Sequence, residues 1–308
     1  MNFAEREGTI WLDGEMVPWG EAKVHVLTHT LHYGLGVFEG VRAYKTPDRG
    51  TCIFKLKEHT ERLFNSAKIL TMDMPYDRET LIEAQRAVVK ANELEEAYLR
   101  PMCFYGSEGM GLRADGLKTH VMVAAWEWPS YMDPEAVARG IKVRTSSYTR
   151  HHVNITMCKA KANGNYINSM LALREALESG AEEALLLDNE GYVAEGSGEN
   201  VFIVRRGKIH TPELTSCLDG ITRATVFAFA EELGLEIIER RITRDEVYVA
   251  DEAFFTGTAA EVVPIRMLDG REIGSGSRGP ITEQMQSMYF DAVRGNRPQN
   301  AEWLTPVA

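Results

Sequence analysis

Cysteine is scarce in this chain. Its four residues, Cys52, Cys103, Cys158 and Cys217, lie far apart with no CxxC pair. That spacing argues against a clustered zinc site or a dense disulfide framework and leaves reduced thiols as the expectation. Cations are also outnumbered, 34 Lys and Arg against 45 Asp and Glu, for a formal net charge of -11. A nucleic acid or an anionic membrane surface is thereby disfavoured as main partner, because neutralising phosphates takes clustered basic residues. No stretch approaches the roughly 20 apolar residues of a membrane span. Residues Met1 to Gly14 lack the apolar core of a signal peptide, so a cytoplasmic protein is expected. Nucleotide fingerprints are missing too. Gly106, Gly109 and Gly111, and Gly196 with Gly198, are fragments only, with neither GxGxxG between a strand and a helix nor GKS or GKT.

What is present is an ordinary globular composition, 44% hydrophobic and 26% charged, over 308 residues. That length suggests about two domains with cores of real size. Thr9 to Leu12 and Glu15 to Val17 flank Asp13-Gly14, a dipeptide suited to a type I′ hairpin turn. Helices are expected over 58–70 and 78–92, then strands over 97–105 and 119–128. Two prolines and no periodicity mark 128–134 as the interdomain connection, so the domains are read as 1–132 and 133–308. Beyond it, helices are expected over 167–179, 222–233 and 281–293, with Gly180, Gly234 and Gly295 at their C-terminal ends. Strands cluster in runs, so the fold class is α+β in two units and not a doubly wound parallel sheet.

His25, His29 and His32 share helical spacing, but no further ligand completes a metal set, and they read as residues of a polar or interface face. The segment Thr156-Met-Cys-Lys159-Ala-Lys161-Ala-Asn-Gly-Asn-Tyr166 is more informative. It puts two lysines in weakly polar surroundings before a helix. An uncharged amine can attack an aldehyde to form a Schiff base, and partial burial favours the uncharged form. Chemistry alone leaves Lys159 and Lys161 tied.

The run Lys161-Ala-Asn-Gly-Asn-Tyr166 resembles the cofactor-lysine motif of the bacterial branched-chain amino acid aminotransferases, of pyridoxal-phosphate fold type IV (D-amino acid aminotransferase-like). The resemblance runs from about Ile10 to Pro264 and fades after about residue 290. It selects Lys161 as the catalytic, cofactor-holding lysine and implies pyridoxal 5′-phosphate as cofactor. Tyr192-Val-Ala-Glu195-Gly-Ser-Gly-Glu-Asn200 is similar to the block whose acid, here Glu195, faces the pyridine nitrogen. Leu218-Asp-Gly-Ile221-Thr222-Arg leads into an apolar helix whose start suits a phosphate, with Thr222 as N-cap and Leu218, Ile221 and Thr222 as cofactor contacts. Thr258, before Ala259 and Ala260, matches a second phosphate contact. Arg62 in His59-Thr-Glu-Arg62-Leu63 matches the phosphate-gripping arginine, and is the only full cation of that proposed set. Tyr166 is implied as partner of the cofactor's phenolic oxygen. Two departures are Lys159 beside Lys161, and Ser197 within the acid block.

Tyr98-Leu-Arg100-Pro is similar to the substrate element of the branched-chain enzymes, and strand alternation puts Tyr98 and Arg100 on one face. A pocket for leucine, isoleucine or valine and, in turn, glutamate needs apolar walls and one anion contact. Tyr33, Phe38, Leu112, Trp128 and Tyr131 read as walls, with Thr258, Ala259 and Ala260 on the substrate side, and Arg100 takes the distal carboxylate. The implied reaction is transamination between branched-chain L-amino acids and 2-oxoglutarate, giving branched-chain 2-oxo acids and L-glutamate. D-amino acid and (R)-amine transaminases share the cradle, and Tyr98-Leu-Arg100 argues against them. The resemblance also implies a homodimer at least, with Tyr33 and Leu112 reaching a neighbour's site.

Overall fold

The computed structural model describes residues 2–128 and 139–308. By contacts they group into two compact units, one of residues 2–128 with 160–164 and 292–308, the other of 139–159 with 165–291. The expected boundary at 133 lies outside the described residues. A single cut there would give Lys161 to the second unit, whereas it groups with the first. The reason is main-chain bonding: Phe38 N donates to Lys161 O (3.1 Å), Gly164 N to Gly34 O (3.2 Å), and Val37 bridges Ala162.

The first unit is an eight-stranded sheet. β1 (Thr9–Leu12) and β2 (Glu15–Pro18) form the expected hairpin, with Asp13 (φ 49°) and Gly14 (φ 100°) both in the region a type I′ turn demands. α1 (His29–Tyr33), β3 (Gly36–Phe38), β4 (Val41–Thr46) and β5 (Gly50–Phe54) follow. Then come α2 (Leu56–Ile69), α3 (Arg78–Ala91), β6 (Ala97–Tyr105) and β7 (Thr119–Trp126). β4 joins β5 and β6, β6 joins β3 and β7, and β7 joins β1, all antiparallel. α2 and α3 cover one face, where Leu63, Leu81, Val88 and Val89 meet Val37, Val41, Leu99, Val121 and Val123. Each such fully buried side chain contributes about 1.5–3 kcal/mol.

The second unit is a nine-stranded mixed sheet. β8 (Ile141–Thr145) precedes α4 (Tyr166–Glu178), β9 (Glu183–Leu187), β10 (Val193–Gly196), β11 (Asn200–Arg205) and β12 (Lys208–Thr211). α5 (Ile221–Leu233), β13 (Ile237–Glu239), α6 (Arg244–Tyr248), β14 (Glu252–Gly257), β15 (Glu261–Leu268), β16 (Arg271–Glu272) and α7 (Pro280–Val293) complete it. β8 runs parallel to both β9 and β15. Val201, Ile203, Phe255 and Val263 lie in its core. The left-handed Gly180, Gly234 and Gly295 stand where the sequence puts them, and β11 and β12 form a hairpin that turns at Arg206-Gly207. β17 (Leu304–Pro306) returns the chain to the first unit, pairing with β5.

Candidate active site

Alternation along β6 sends Ala97, Leu99 and Cys103 into the helix-covered core and Tyr98 and Arg100 to the opposite face. There an Arg100 Nη donates to Tyr98 Oη at 3.1 Å, and the guanidinium lies 4.5 Å from the centre of the Phe38 ring. Arg100 Nε is buried with no hydrogen-bond partner among the described residues. Trp126 and Trp128 stack at a tilt on Tyr98, ring centres 5.2 and 5.4 Å away. Gly40 leaves room for that phenol: a Cβ there would lie 2.0 Å from Tyr98 Oη. Lys161 Nζ stands 5.2 Å from the same Phe38 ring, and Lys161 N donates to Ser66 Oγ at 3.0 Å. An aromatic wall thus has a primary amine and a guanidinium beside it.

The residue after Phe38 is Glu39, which is fully buried. His59 and Arg62 are one turn apart on α2 and both reach it: His59 Nδ1 at 2.7 Å from Oε2, Arg62 Nε at 2.6 Å from Oε1, and an Arg62 Nη at 2.9 Å from Oε2. Burial by itself would raise the Glu39 carboxyl, but the Arg62 charge and the bonds from both partners outweigh it and hold it far below the usual carboxylate range. Burial pushes the His59 imidazole down in spite of Glu39, so Arg62 is the cation that balances the acid.

In the second unit Glu195, on β10, is buried and ion-paired through Oε1 with Arg150 Nε at 2.7 Å. Its Oε2 accepts from Leu218 N at 3.2 Å. Arg150 in turn donates to Asn168 Oδ1 and Ser169 Oγ, each at 3.2 Å. Asn200 Nδ2 donates to Leu218 O at 2.9 Å, and Gly220 is obligatory beneath it, since a Cβ would fall 1.9 Å from Asn200 Oδ1. Glu183, buried, accepts from Ser197 N at 3.3 Å, and burial raises its carboxyl above the usual range. α5 begins with Gly220 as N-cap and no side-chain cap, so the first-turn N–H groups of Ile221 and Thr222 are not satisfied by a capping side chain. At the end of β14, a Cβ on Gly257 would come within 3.3 Å of Gly198 O, just before Thr258.

The class IV amino-transferase family model matches residues 36–268, a span that includes Phe38, Glu39, Arg62, Arg100, Lys161, Glu195 and Thr258. The chain belongs to the class IV aminotransferases. It is 65% identical over 307 residues to the branched-chain-amino-acid aminotransferase of Pseudomonas aeruginosa, covering 100% of both chains. It is 43% identical to that of Escherichia coli strain K12, covering 97% of each. Among solved structures, the branched-chain aminotransferase of the thermophilic archaeon Thermoproteus uzoniensis, determined with norvaline, superposes with a TM-score of 0.93. That protein is 43% identical, with 98% of this chain and 100% of that one covered.

Within this class IV aminotransferase, Lys161, Phe38, Tyr98, Arg100 and Trp128 come together in the first unit, and Arg62 stands on α2 of the same unit. Glu195, Leu218, Ile221, Thr222, Thr258, Ala259 and Ala260 belong to the second, as does Tyr166, the half-buried first residue of α4. Thr222 is not the N-cap: Gly220 occupies that place and Thr222 is the second helical residue, because Ala224 N already bonds Gly220 O. Leu112 is 90% exposed and Tyr33 43%, so neither is enclosed in the cluster around Tyr98; Tyr33 stacks on His29 instead. Tyr131 lies outside the described residues. The three histidines hold no metal set among the described residues; His29 Nε2 pairs with Gly111 O and His32 Nε2 with Val26 O. Sequence reasoning missed Glu39, Arg150 and Asn200. Glu39 was signalled by a lone acid inside an apolar run, whereas Arg150 had no local signal, its acid lying far along the chain.

Proposed function

We propose that this protein transaminates branched-chain L-amino acids with 2-oxoglutarate, using pyridoxal 5′-phosphate held by Lys161. The observation that carries the reading is the Phe38 ring with Lys161 Nζ at 5.2 Å and the Arg100 guanidinium at 4.5 Å. It offers an apolar side chain a wall and a glutamate side chain a cation, next to a reactive amine.

The residues present fit the cofactor. Glu195 is a buried carboxylate, and a carboxylate has about four lone-pair directions, so its ion pair with Arg150 and its bond from Leu218 N–H are compatible with accepting a pyridinium proton as well. The uncapped start of α5 suits a phosphate, whose charge it attracts. Arg62, Ile221, Thr222 and Thr258 take that phosphate, and Tyr166 partners the phenolic oxygen. When bound, pyridoxal phosphate supplies an aldehyde for the amino group and a ring that accepts the electron pair left at Cα. Lys161 would hold the cofactor's aldehyde, and its amine would serve as the base and acid that carries the substrate Cα proton. Glu195 keeps the ring nitrogen protonated. Phe38, Tyr98 and Trp128 shape an apolar wall, and Arg100 takes the distal carboxylate of glutamate.

The protein acts as a cytoplasmic homodimer in which Tyr33 and Leu112 meet the neighbour. Val26, Leu31 and Leu112 are large apolar side chains left exposed, which supports this reading. No helix among the described residues is long and apolar enough to cross a membrane.

The test is spectroscopic. The purified protein should have a pH-sensitive visible band that L-leucine bleaches, 2-oxoglutarate restores, and D-alanine and an (R)-arylamine leave alone. Lys161→Ala should lack the band. A band that L-leucine does not bleach, or one that survives in Lys161→Ala, refutes the reading.

A further inference from the structure

Lys159, two residues before the cofactor lysine, is a half-buried lysine with a defined task of its own. Its Nζ donates to two main-chain carbonyls, Leu214 O and, at 2.8 Å, Cys217 O. Both belong to the loop between β12 and α5. Among the described residues neither carbonyl accepts from a backbone N–H outside the regular helices and strands, so the ammonium satisfies two groups that a partly buried loop would otherwise leave unmatched. Cys217 Sγ closes the same loop onto Glu213 O at 3.5 Å. The next residue, Leu218, is the one whose N–H donates to Glu195 Oε2 while its carbonyl accepts from Asn200. One ammonium thus fixes the turn that delivers a donor to the buried acid. Thioether and alkyl side chains of similar length have no N–H to give these carbonyls.

We propose that Lys159 is a positioning residue for the reaction: by tying Leu214 O and Cys217 O it holds the 214–218 loop so that Leu218 N–H orients the Glu195 carboxylate toward the cofactor's ring nitrogen. The proposal rests on the reading of Glu195 given above. It also accounts for why a second lysine stands beside Lys161 without competing for the aldehyde, since its protons are engaged with carbonyls of the second unit.

Full-length cofactor-loaded protein, prepared with ring-labelled nitrogen-15 pyridoxal phosphate, tests it through Lys159→Met, Lys159→Arg and Glu195→Gln. In Lys159→Met, amide exchange of the peptide covering 212–220 should speed up, and the ring nitrogen should lose its proton at a lower pH. kcat for L-leucine should fall about tenfold or more while KM stays within about twofold, the loss of one charge-assisted contact expressed in the reacting complex. Lys159→Arg, which keeps donors and charge, should recover most of each. If Lys159→Met leaves the ring nitrogen at its wild-type titration while Glu195→Gln shifts it, the positioning role is refuted and the Glu195 assignment stands. If Glu195→Gln leaves the ring nitrogen unchanged, the Glu195 assignment fails and takes the proposal with it. Should Lys159→Met not fold, Lys159→Gln, which retains a donor without charge, is judged by the same measurements.

Discussion

Glu39→Gln removes one negative charge from a fully buried site and changes almost nothing in shape. In the wild type that carboxylate receives two bonds from Arg62 and one from His59, at 2.6 to 2.9 Å. Deleting one partner of a buried pair costs about 3–5 kcal/mol, because the remaining charge stays desolvated. Glutamine still accepts one bond, so the lower end, about 3 kcal/mol, is expected at pH 7.5. The first unit contains all five tryptophans, Trp11, Trp19, Trp126, Trp128 and Trp303, so tryptophan fluorescence during urea unfolding reports on it directly. The pH dependence is specific. Glu39 is ionised in the folded protein well below its ordinary 4.5, so its contribution is complete above that pH and is lost as pH falls below it. Glu39 also supports the His59 imidazole against burial, so its loss depresses that imidazole further and weakens the variant once pH drops below 6.5. The stability gap should therefore hold or widen from pH 6.5 to 4.5. Below about 4.5 it should narrow by up to about 1.4 kcal/mol per pH unit. A gap under about 1 kcal/mol at pH 7.5, or one that already narrows between pH 6.5 and 5.5, refutes the reasoning.

Arg100→Gln should raise KM for L-glutamate and 2-oxoglutarate by about 10- to 100-fold, the value of a charge-assisted contact, with KM for L-leucine changed under about threefold in the same steady-state assay. Gly220→Ala forces a methyl to within 1.9 Å of Asn200 Oδ1 and displaces the Leu218 loop; cofactor affinity, measured by equilibrium dialysis, should weaken about tenfold or more. Burial pushes the thiols of Cys103 and Cys217 up to about 12, so at pH 8 iodoacetamide followed by mass spectrometry should find both unmodified in the folded protein and both alkylated in urea.

Much of this protein is legible in its residues because its signals are local. The Asp13-Gly14 turn, helices α2, α3, α4 and α5, and the alternation that puts Tyr98 and Arg100 on one face depend on periodicity and backbone preference within a few residues. The order of motifs from Arg62 to Thr258 likewise belongs to the sequence. Other features arise from meetings between distant segments, which periodicity cannot encode. Glu39 is buried only because α2 brings His59 and Arg62 to it, and Arg150 finds Glu195 only because β8 and β9 align side by side. The last strand, β17, carries too few residues to read as a strand, yet β5 recruits it as an edge. Sequence alone thus determined the local elements and the order of the reactive groups. Tertiary structure decided what each buried charge is paired with, since a desolvated charge is tolerated only where a partner from elsewhere in the chain reaches it.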